Sequence, residues 1–585
     1  MTPAIDHSLR ATVVWMVVVA FLVVFAAGAA KPLLLDNVDF PAMAQATLHT
    51  GVPVYYRGES HPHRLGLFHP PLYAYMLAAW FMALGEGAAQ ARLFGAVCAL
   101  LQGICTLLLI RELFGRAYEE VISPWFWLVF LLNAYTIQTA SIADIDSTIY
   151  GPLILLLLWS VVRLTWKNGE LRHDRVSLLE RLGCGFLLTA CLWAKLTTIW
   201  LVLPFLFLLL IRRFGWFGAA KFTVLLSAGG ILAFLATYWC FGIITRLCIS
   251  YTFSFTWMSF RVRGASGSVG MAGWIADRLH NFRAMVPFMI GWTGLLPWLA
   301  ALAAAAWGSY KTVHDKDRRL EDATLILALA LASVAYYCAQ LQSFGAAPFK
   351  YAFVYWGVIL AAVVMVVVPP GPETRLPRLR MPAACLGFWV VAAVVGASLV
   401  KDRTLAALYG SNAIRWPWVL PAAVFCVGLL LPRTAAVTRV LLAASLASYA
   451  GLQTGMAAAQ NGQREYATTY DYGERGFEDT VGYIRCHTGP GDIIISMKDI
   501  GFASRRRYFE NYGALYHGEK QAEELRDLLR SGHAKLAVFT EAHGQDQLIV
   551  NPALHDWINQ NCQQLAAFGD YRIYRYVGAA QLERH

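Results

Sequence analysis

Four aspartates stand where long apolar segments begin or end, a position where a charged side chain is costly unless it has a partner or a task. Asp36 and Asp39 follow the first apolar segment, and Asp144 and Asp146 come directly before the fourth. A positioned carboxylate can take the proton of a hydroxyl group as that group attacks an electrophilic carbon. We therefore take Asp36 and Asp146 as the first candidates for such a role, with Asp39 and Asp144 as second choices.

Cations, like the aspartates, stand close to the ends of apolar segments or in the polar stretches between them. Lys195 and Lys350 lie at the ends of two further apolar segments, and Arg246, Arg261 and Arg263 lie in a polar stretch rich in aromatic residues. Cations of this kind stabilise the charge of an anionic leaving group. Acids and bases from distant parts of the chain are thus predicted to meet at one depth.

Some of these residues also have a plain structural interpretation. Asp146 stands where a helix N-cap is expected, and Lys195 and Lys350 could simply extend to a membrane surface. The early polar segment contains several histidines, namely His49, His61, His63 and His69. Their spacing matches no compact ligand set, so no metal or other cofactor is predicted, and a divalent metal stays an open alternative.

The composition indicates which elements must position these residues. Of the 585 residues, 58% are hydrophobic and only 15% are charged, whereas soluble proteins have about half apolar and about a quarter charged residues. The net charge is +11, and the basic excess lies in the apolar part of the chain. It is therefore attributed to membrane orientation and not to nucleic-acid binding.

Apolar segments of roughly 20 residues predict membrane-crossing helices, and thirteen are found. Their approximate bounds are 11–30, 89–110, 121–141, 147–165, 181–194, 195–212, 217–243, 284–309, 322–341, 348–369, 382–399, 416–432 and 435–457. The run 181–212 is divided because it is too long for one upright helix and Lys195 lies in its middle. The sequence predicts an α-helical polytopic membrane protein with about 13 transmembrane helices and a small C-terminal α/β soluble domain.

Lysine and arginine are concentrated in alternate loops, which places the N-terminus in the cytoplasm and, with an odd number of spans, the tail outside. The predicted domains are a transmembrane domain over 1–460 and an extracytoplasmic domain over 461–585. The first has an outer interfacial loop at 31–88 and a mobile outer loop at 244–283. The predicted location is a bacterial inner membrane.

The tail has ordinary soluble composition. Helices over Phe477–Arg485 and Ala522–Leu529 alternate with strands over Ile493–Ser496, Lys535–Thr540 and Tyr571–Tyr576, which is typical of a small α/β domain. No Gly-x-Gly-x-x-Gly motif follows a strand, so no nucleotide site is predicted. The tail also holds two cysteines that an outer location would allow to pair, Cys486 and Cys562.

Several stretches resemble a known family. Residues 35–56 (LDNVDFPAMAQATLHTGVPVYY), 69–85 (HPPLYAYMLAAWFMALG) and 91–97 (ARLFGAV) are similar to the opening of polyprenyl-phosphate-sugar-dependent glycosyltransferases. These are GT-C fold enzymes of the protein O-mannosyltransferase and aminoarabinose transferase type. Residues 146–156 (DSTIYGPLILL) and 192–204 (LWAKLTTIWLVLP) follow in the family's order, as does Phe349-Lys350-Tyr351. The resemblance covers about residues 10–370.

The chain departs from this family at two places. The family commonly has Asp-Glu where this chain has Asp36-Asn37, which leaves Asp36 as the matching base. It often has Arg-Tyr where this chain has Lys350-Tyr351. Lysine offers a single point charge in place of arginine's two-pronged fork.

The resemblance implies transfer of a sugar from a polyprenyl monophosphate to a hydroxyl at the outer face, with inversion and with Asp36 as base. Asp146 would orient the acceptor, a glycolipid, a polysaccharide or a protein, or share the base role. The residues implied for the donor phosphate are Lys195, Lys350, Tyr351, Arg246, Arg261 and Arg263, and those for the acceptor or the interface are Arg57, Arg64 and His69. A transporter or flippase of a lipid-linked or small anionic substrate is the alternative, and an oligosaccharide ligase using a diphosphate carrier is a third.

Overall fold

The computed structural model describes most of the chain. The described residues are 3–33, 36–53, 67, 69–167, 170–171, 177–250, 252–253, 271–340, 353–369, 383–400, 416–431, 436–462, 476–511, 519–540 and 551–578.

Helices make up the part before residue 463. The first ten are α1 (Pro3–Ala29), α2 (Asp36–Thr50), α3 (Leu72–Leu84), α4 (Ala88–Phe114), α5 (Arg116–Leu131), α6 (Ala134–Ala140), α7 (Tyr150–Thr165), α8 (Leu178–Ala194), α9 (Thr198–Leu201) and α10 (Leu203–Thr245). A two-stranded ladder, β1 (Trp166–Lys167) and β2 (Glu170–Leu171), follows α7. The later helices are α11 (Met271–Thr293), α12 (Leu296–Asp315), α13 (Arg318–Gln340), a 3₁₀ turn (Phe353–Tyr355), α14 (Trp356–Val367), α15 (Ala383–Val400), α16 (Trp416–Leu430) and α17 (Ala436–Gly462).

The apolar helices make the chain a multi-pass membrane protein. Among the described residues, five stretches are long and apolar enough to cross a membrane: Arg10–Ala29, Ala88–Phe114, Phe214–Thr245, Arg318–Ala339 and Val440–Ala459. Two bent pairs, α5 with α6 and α11 with α12, raise the number to seven if each pair is one span. These counts rest on length and composition, so the predicted total of thirteen stays a prediction.

The predicted division of 181–212 is confirmed, because α8 ends at Ala194 and Lys195 has the extended backbone of a cap, with φ −157° and ψ 129°. A second predicted division, between 212 and 217, corresponds to a kink in α10 at Gly215, where φ is 66°. The apolar residues on either side of each break determine how long the two helical segments are. The break itself is made by one residue that leaves the helical conformation, Lys195 in one case and Gly215 in the other.

One expectation was wrong. The segment 284–309 is not one helix, because Gly294 adopts φ 77° and separates α11 from α12. Helix α11 begins at Met271, within the outer loop predicted over 244–283, and the bounds of that loop stay a prediction. Charged residues in the first turns of α11 interrupt the apolar run without interrupting the helix, so hydropathy alone missed its start.

The chain forms two compact units. One comprises Met1–Ala29, Arg92–Tyr238 and Ser254–Asp471, and the other comprises Ala30–Ala91, Trp239–Phe253 and Tyr472–His585. The domain boundary predicted at residue 460 is not tested by this division and stays a prediction.

Close helix packing characterises the first unit. Helices α15 and α17 approach so closely that a Cβ atom added at Gly455 would lie 1.9 Å from the carbonyl oxygen of Ala393. Elsewhere in this unit the amide of Gln102, on α4, donates to the carbonyl oxygens of Phe353 and Val354, the latter at 3.2 Å. This amide satisfies the backbone of the 3₁₀ turn, which hydrocarbon could not do.

The second unit contains the predicted α/β sheet. Its elements are α18 (Phe477–His487), β3 (Ile493–Ser496), α19 (Lys498–Ser504), β4 (Arg507–Glu510), α20 (Glu519–Arg530), β5 (Ala534–Thr540), α21 (Pro552–Asn561), β6 (Cys562–Phe568) and β7 (Tyr571–Tyr576). The strand order is β4-β3-β5-β7-β6. Strand β3 is parallel to both β4 and β5, and β7 pairs antiparallel with β5 and β6.

The core of this sheet contains residues of the predicted strands β3 and β5 and of β4, which was not predicted. Ile495, Phe509 and Ala537 face Leu525 of α20 and Ile558 of α21, and all are fully buried. The predicted helices and strands of the tail are therefore confirmed. Cys486 and Cys562 are both free thiols, the first exposed and the second buried, so no disulfide joins them.

Helices α2 and α3 belong to the same unit as the sheet. The ring of Phe40 on α2 packs edge-on against Tyr73 of α3 at 5.1 Å between centroids. At the far end of α3, Phe81 lies 6.4 Å from Phe502 of α19. The early polar segment and the C-terminal domain therefore share an apolar contact.

Candidate functional site

A buried ion pair joins two of the predicted residues in the first unit. The Nζ atom of Lys195 donates to Oδ2 of Asp146 at 2.6 Å, and the two side chains are 4% and 2% exposed. These residues are separated by 49 positions in the sequence. The contact brings an acid and a base from distant segments together, and the roles predicted for them stay predictions.

The turn between α6 and α7 places Asp146. The Oδ1 atom of Asp144 accepts a hydrogen bond from the backbone N–H of Asp146 at 3.2 Å, while the Ser147 hydroxyl donates to the Asp144 carbonyl oxygen at 3.1 Å. Asp144 thus shapes the turn with its own side chain, as aspartates commonly do. Helix α7 is capped by Ile149 without a side-chain hydrogen bond, so the interpretation of Asp146 as only an N-cap is wrong.

Lys195 is placed by the break between α8 and α9. Its backbone N–H donates to the carbonyl oxygen of Cys191 at 2.7 Å, which ends α8, and its extended conformation leads the side chain to Asp146. A lysine that extends to a membrane surface would be exposed at its tip. The side chain is buried, so that interpretation is wrong for Lys195.

Aromatic and hydroxyl groups surround the pair. The ammonium of Lys195 lies 5.7 Å from the centre of the Tyr337 ring. The Tyr150 hydroxyl is 3.0 Å from Oγ1 of Thr198, which itself donates to the Lys195 carbonyl oxygen at 2.8 Å. Replacing a whole buried charge pair by apolar residues of similar size often costs little stability. Removing one member alone is costly, because it leaves the other charge without compensation.

A second ion pair lies in the other unit. The Nζ atom of Lys498, the first residue of α19, donates to Oδ1 of Asp39 on α2 at 2.6 Å. The side chains are 12% and 22% exposed. Asp39 was a predicted candidate, whereas Lys498 was not. The signal for Lys498 in the sequence is its position just after β3, at the carboxyl edge of a parallel sheet.

The structure places the other predicted residues as follows. Asp36 is the first residue of α2. His69 is half-buried and stacks on Phe40 at 6.5 Å. Arg246 is exposed and has φ 59° where α10 has ended. The predicted residues that lie outside the described ranges are Arg57, Arg64, Arg261, Arg263, Lys350 and Tyr351.

Within the described ranges, no group of three or more His, Cys, Asp or Glu side chains is arranged to hold a metal ion. His61 and His63 lie outside those ranges. The chemistry available to the described residues is therefore that of carboxylates, lysines and hydroxyl groups.

The sequence analysis missed one further charged cluster in the first unit. The indole N–H of Trp166 donates to the buried carboxylate of Asp322, and Arg212 lies 3.9 Å from the same carboxylate. Arg212 also pairs with Glu321. Two adjacent acids at the start of an apolar segment, Glu321 and Asp322, were the available signal. The cluster ties the end of α7, α10 and the start of α13 together.

Comparison with known proteins gives a consistent picture. No protein family matches the sequence, and no curated protein matches it. Among solved structures, ArnT from Cupriavidus metallidurans bound to undecaprenyl phosphate has a TM-score of 0.58 at 14% identity, over 96% of this chain and 97% of that one. The apo state of the same protein has a TM-score of 0.55 at 16% identity, over 97% and 98% of the two chains.

A more distant likeness is to the oligosaccharyltransferase of Archaeoglobus fulgidus in its apo form. Its TM-score is 0.46 at 10% identity, over 91% of this chain and 69% of that one. The likeness to ArnT, by contrast, extends over nearly the whole of both chains, through the apolar helices and the C-terminal sheet alike. The protein therefore has the GT-C fold of ArnT.

Proposed function

We propose that this protein is a membrane glycosyltransferase that moves a sugar from a polyprenyl monophosphate donor to an acceptor hydroxyl at the outer face of the membrane. The observation that carries the proposal is the full-length fold likeness to ArnT, a structure that contains undecaprenyl phosphate. The charged residues set at the ends of apolar segments, which the sequence resemblance marks independently, support it.

The reaction is a single displacement at the anomeric carbon. The acceptor oxygen forms a bond to that carbon while the bond from the carbon to the phosphate oxygen breaks, and the configuration inverts. The proton of the acceptor hydroxyl goes to Asp36, and the electron pair of the broken bond leaves with the lipid phosphate. A phosphate is a stable leaving group without protonation, so the reaction needs cations near it more than it needs an acid.

The remaining residues have roles in binding. Lys350 and Tyr351, with arginines of the segment around residues 246–263, contact the donor phosphate. Asp146 orients the acceptor, and Lys195 holds the Asp146 carboxylate through their 2.6 Å ion pair. Arg57, Arg64 and His69 contact the acceptor or the membrane interface.

The chemistry of the donor limits the partners. A polyprenyl tail requires a lipid environment, so the donor reaches the protein from the bilayer, and a bacterial inner membrane with an outward-facing site fits this route. The acceptor carries a hydroxyl group on a glycolipid, a polysaccharide or a protein. Mass spectrometry of lipids that co-purify with the protein would identify the donor's lipid and its sugar.

The test is transfer by the purified full-length protein in vesicles supplied with labelled polyprenyl-phosphate sugars and candidate acceptors. Wild-type protein is expected to form a glycosidic product, and Asp36→Asn is expected to lose it while remaining folded. Asp556→Asn is the matched control, because Asp556 is an exposed carboxylate on α21. It should transfer sugar at the wild-type rate.

Two outcomes would replace the proposal. Vectorial uptake of the lipid-linked substrate without a glycosidic product would identify a transporter or flippase. Transfer of a preassembled block from a diphosphate carrier would identify an oligosaccharide ligase. An Asp36→Asn variant with full activity would remove the proposed base while leaving the fold assignment intact.

A further inference from the structure

The ion pair between Lys498 and Asp39 lies on α2 three residues after the proposed base. Helix α2 begins at Asp36, so Asp39 is in the same first turn. Lys498 belongs to the C-terminal domain and reaches Asp39 across 459 positions of sequence, at 2.6 Å. Both side chains are mostly covered, which strengthens their attraction relative to an exposed pair.

We propose that Lys498 is a positioning residue for the transfer reaction: through its ion pair with Asp39 it holds the first turn of α2 and offsets the negative charge next to Asp36. The proposal rests on the proposed function, in which Asp36 is the base. It assigns the C-terminal domain a part in the reaction.

Lys498 stands at a helix position that does not favour a cation. It occupies the first turn of α19, directly after the N-cap Met497. A cation there is opposed by the positive end of a helix dipole, whereas an acid such as Asp39 in the first turn of α2 is favoured. The helix dipole therefore does not account for this lysine, whose carboxylate partners include the neighbouring Asp499 and Asp39 of α2.

Attachment of the C-terminal domain does not depend on this pair. The guanidinium of Arg505 donates to the carbonyl oxygen of Glu86 at 2.7 Å, and Phe502 packs against Phe81. These contacts join α19 to α3 and the turn that follows it. Loss of the Lys498 charge should therefore leave the domain attached, and Arg505 provides a control for attachment alone.

Other titratable groups of this unit lie on the elements that pack with α2, and Asp499 among them also interacts with Glu510 of β4. From α19 these are Lys498 itself and Asp499, which is buried and accepts a hydrogen bond from the N–H of Ile500 at 2.8 Å. His69 and Tyr73 pack against Phe40. At the other end of α2, His49 lies 3.6 Å from Glu86, and that carboxylate also accepts a bond from Gln45.

The proposal predicts that two substitutions shift the pH–rate profile in opposite directions. Residues three apart on a helix are neighbours, so an uncompensated Asp39 would oppose ionisation at position 36 and an uncompensated Lys498 would favour it. Lys498→Met should therefore move the acidic limb of the pH–rate profile to higher pH. Asp39→Asn should move it to lower pH, and the double variant should return it to the wild-type position.

The experiment measures kcat and KM for a labelled polyprenyl-phosphate sugar between pH 5 and 9, with the full-length protein in vesicles. The expected shift of the acidic limb is roughly half a pH unit in each single variant. In Lys498→Met, kcat is expected to fall about tenfold with little change in KM, since displacing a reacting group by about 1 Å can cost on the order of a hundredfold. Lys498→Arg should restore most of this rate.

Arg505→Met is the matched control, because it removes a domain contact without changing the charge at Asp39. Its pH profile should superimpose on that of the wild type. If Asp36→Asn is inactive and the profiles of Lys498→Met and Asp39→Asn are both unshifted, the positioning role is wrong and the proposed function stands. Full activity of Asp36→Asn would instead overturn the proposed function and this inference with it.

Discussion

The Asp146–Lys195 contact shows how much depends on single residues inside the membrane domain. Both side chains are almost fully buried, and each is an ion-pair partner of the other. A buried pair contributes little net stability relative to apolar residues of the same size, yet removing one member is strongly destabilising. The two residues should therefore respond to substitution as one unit.

Asp146→Asn or Lys195→Met alone should lower the free energy of unfolding by about 3–5 kcal/mol, because each leaves one buried charge without its partner. The double variant should cost less than either single change. Thermal unfolding in detergent measures this. Glu120→Gln is the control, since Glu120 pairs with an exposed Arg116 at 2.8 Å and should contribute less than about 1 kcal/mol. Additive losses in the double variant would contradict the coupling.

Asp499 predicts a pH dependence in the C-terminal domain. Burial raises the pKa of this carboxyl group from its ordinary 3.8 to about 6. The folded state then binds a proton more tightly than the unfolded state, so the stability declines as the pH rises from about 4 to about 6 and is constant above that. The loss amounts to at most about 3 kcal/mol.

Asp499→Asn should remove this decline and make the protein more stable above pH 6, because the amide keeps an oxygen for the N–H of Ile500 and carries no charge. Unfolding of the full-length chain at a series of pH values measures the slope. Asp556→Asn should leave the slope as it is. A steeper decline in Asp499→Asn than in the wild type would show that the carboxyl group is stabilised as an anion.

At the scale of helices, the approach of α15 to α17 depends on residues without side chains. A Cβ atom at Gly455 would lie 1.9 Å from the Ala393 carbonyl oxygen, and one at Gly396 would lie 2.2 Å from that of Leu452. Small residues of this kind let helix backbones approach closely in membranes, where packing drives association.

Gly455→Ala should therefore force the two helices apart and lower the melting temperature, since backbone atoms cannot move aside as a flexible side chain can. Gly387→Ala is the matched control on α15, because a Cβ atom there meets nothing within 4 Å. It should be neutral or more stable by up to about 1 kcal/mol through helix propensity. Equal melting temperatures for the two variants would show that α15 and α17 can separate at no cost.

A helix or strand was predictable where the sequence shows both its hydrophobic pattern and the residues that end it. The strand Ile493–Ser496 lies between a Gly-Pro-Gly-Asp turn and a polar segment, and its bounds were predicted as the structure has them. Gly294 was missed because nothing in the apolar run around it distinguishes a glycine that breaks a helix from one that helices tolerate. The contact of Lys498 with Asp39 was unpredictable, because a single sequence does not show which distant segments meet.

At the scale of the whole molecule, the distribution of charged residues predicts how the protein is oriented in the membrane. Lysines and arginines in alternate loops place the N-terminus inside and the tail outside. A reporter enzyme active only outside the cytoplasm, fused after residue 585, should be active. The same reporter fused after Lys311, in a predicted inner loop, should be inactive. The reverse pattern would turn the proposed outer site into a cytoplasmic one.

The second compact unit has a consequence for biogenesis. It begins at Ala30 and ends with the last residues of the chain, and Asp39 meets Lys498 only after 459 further positions have been made. At about 5–20 residues per second, a ribosome needs tens of seconds for that length. Helix α2 must wait that long for its partner, so any nascent chain released early lacks this unit, and accessibility of residue 39 to a protease would report how far synthesis had gone.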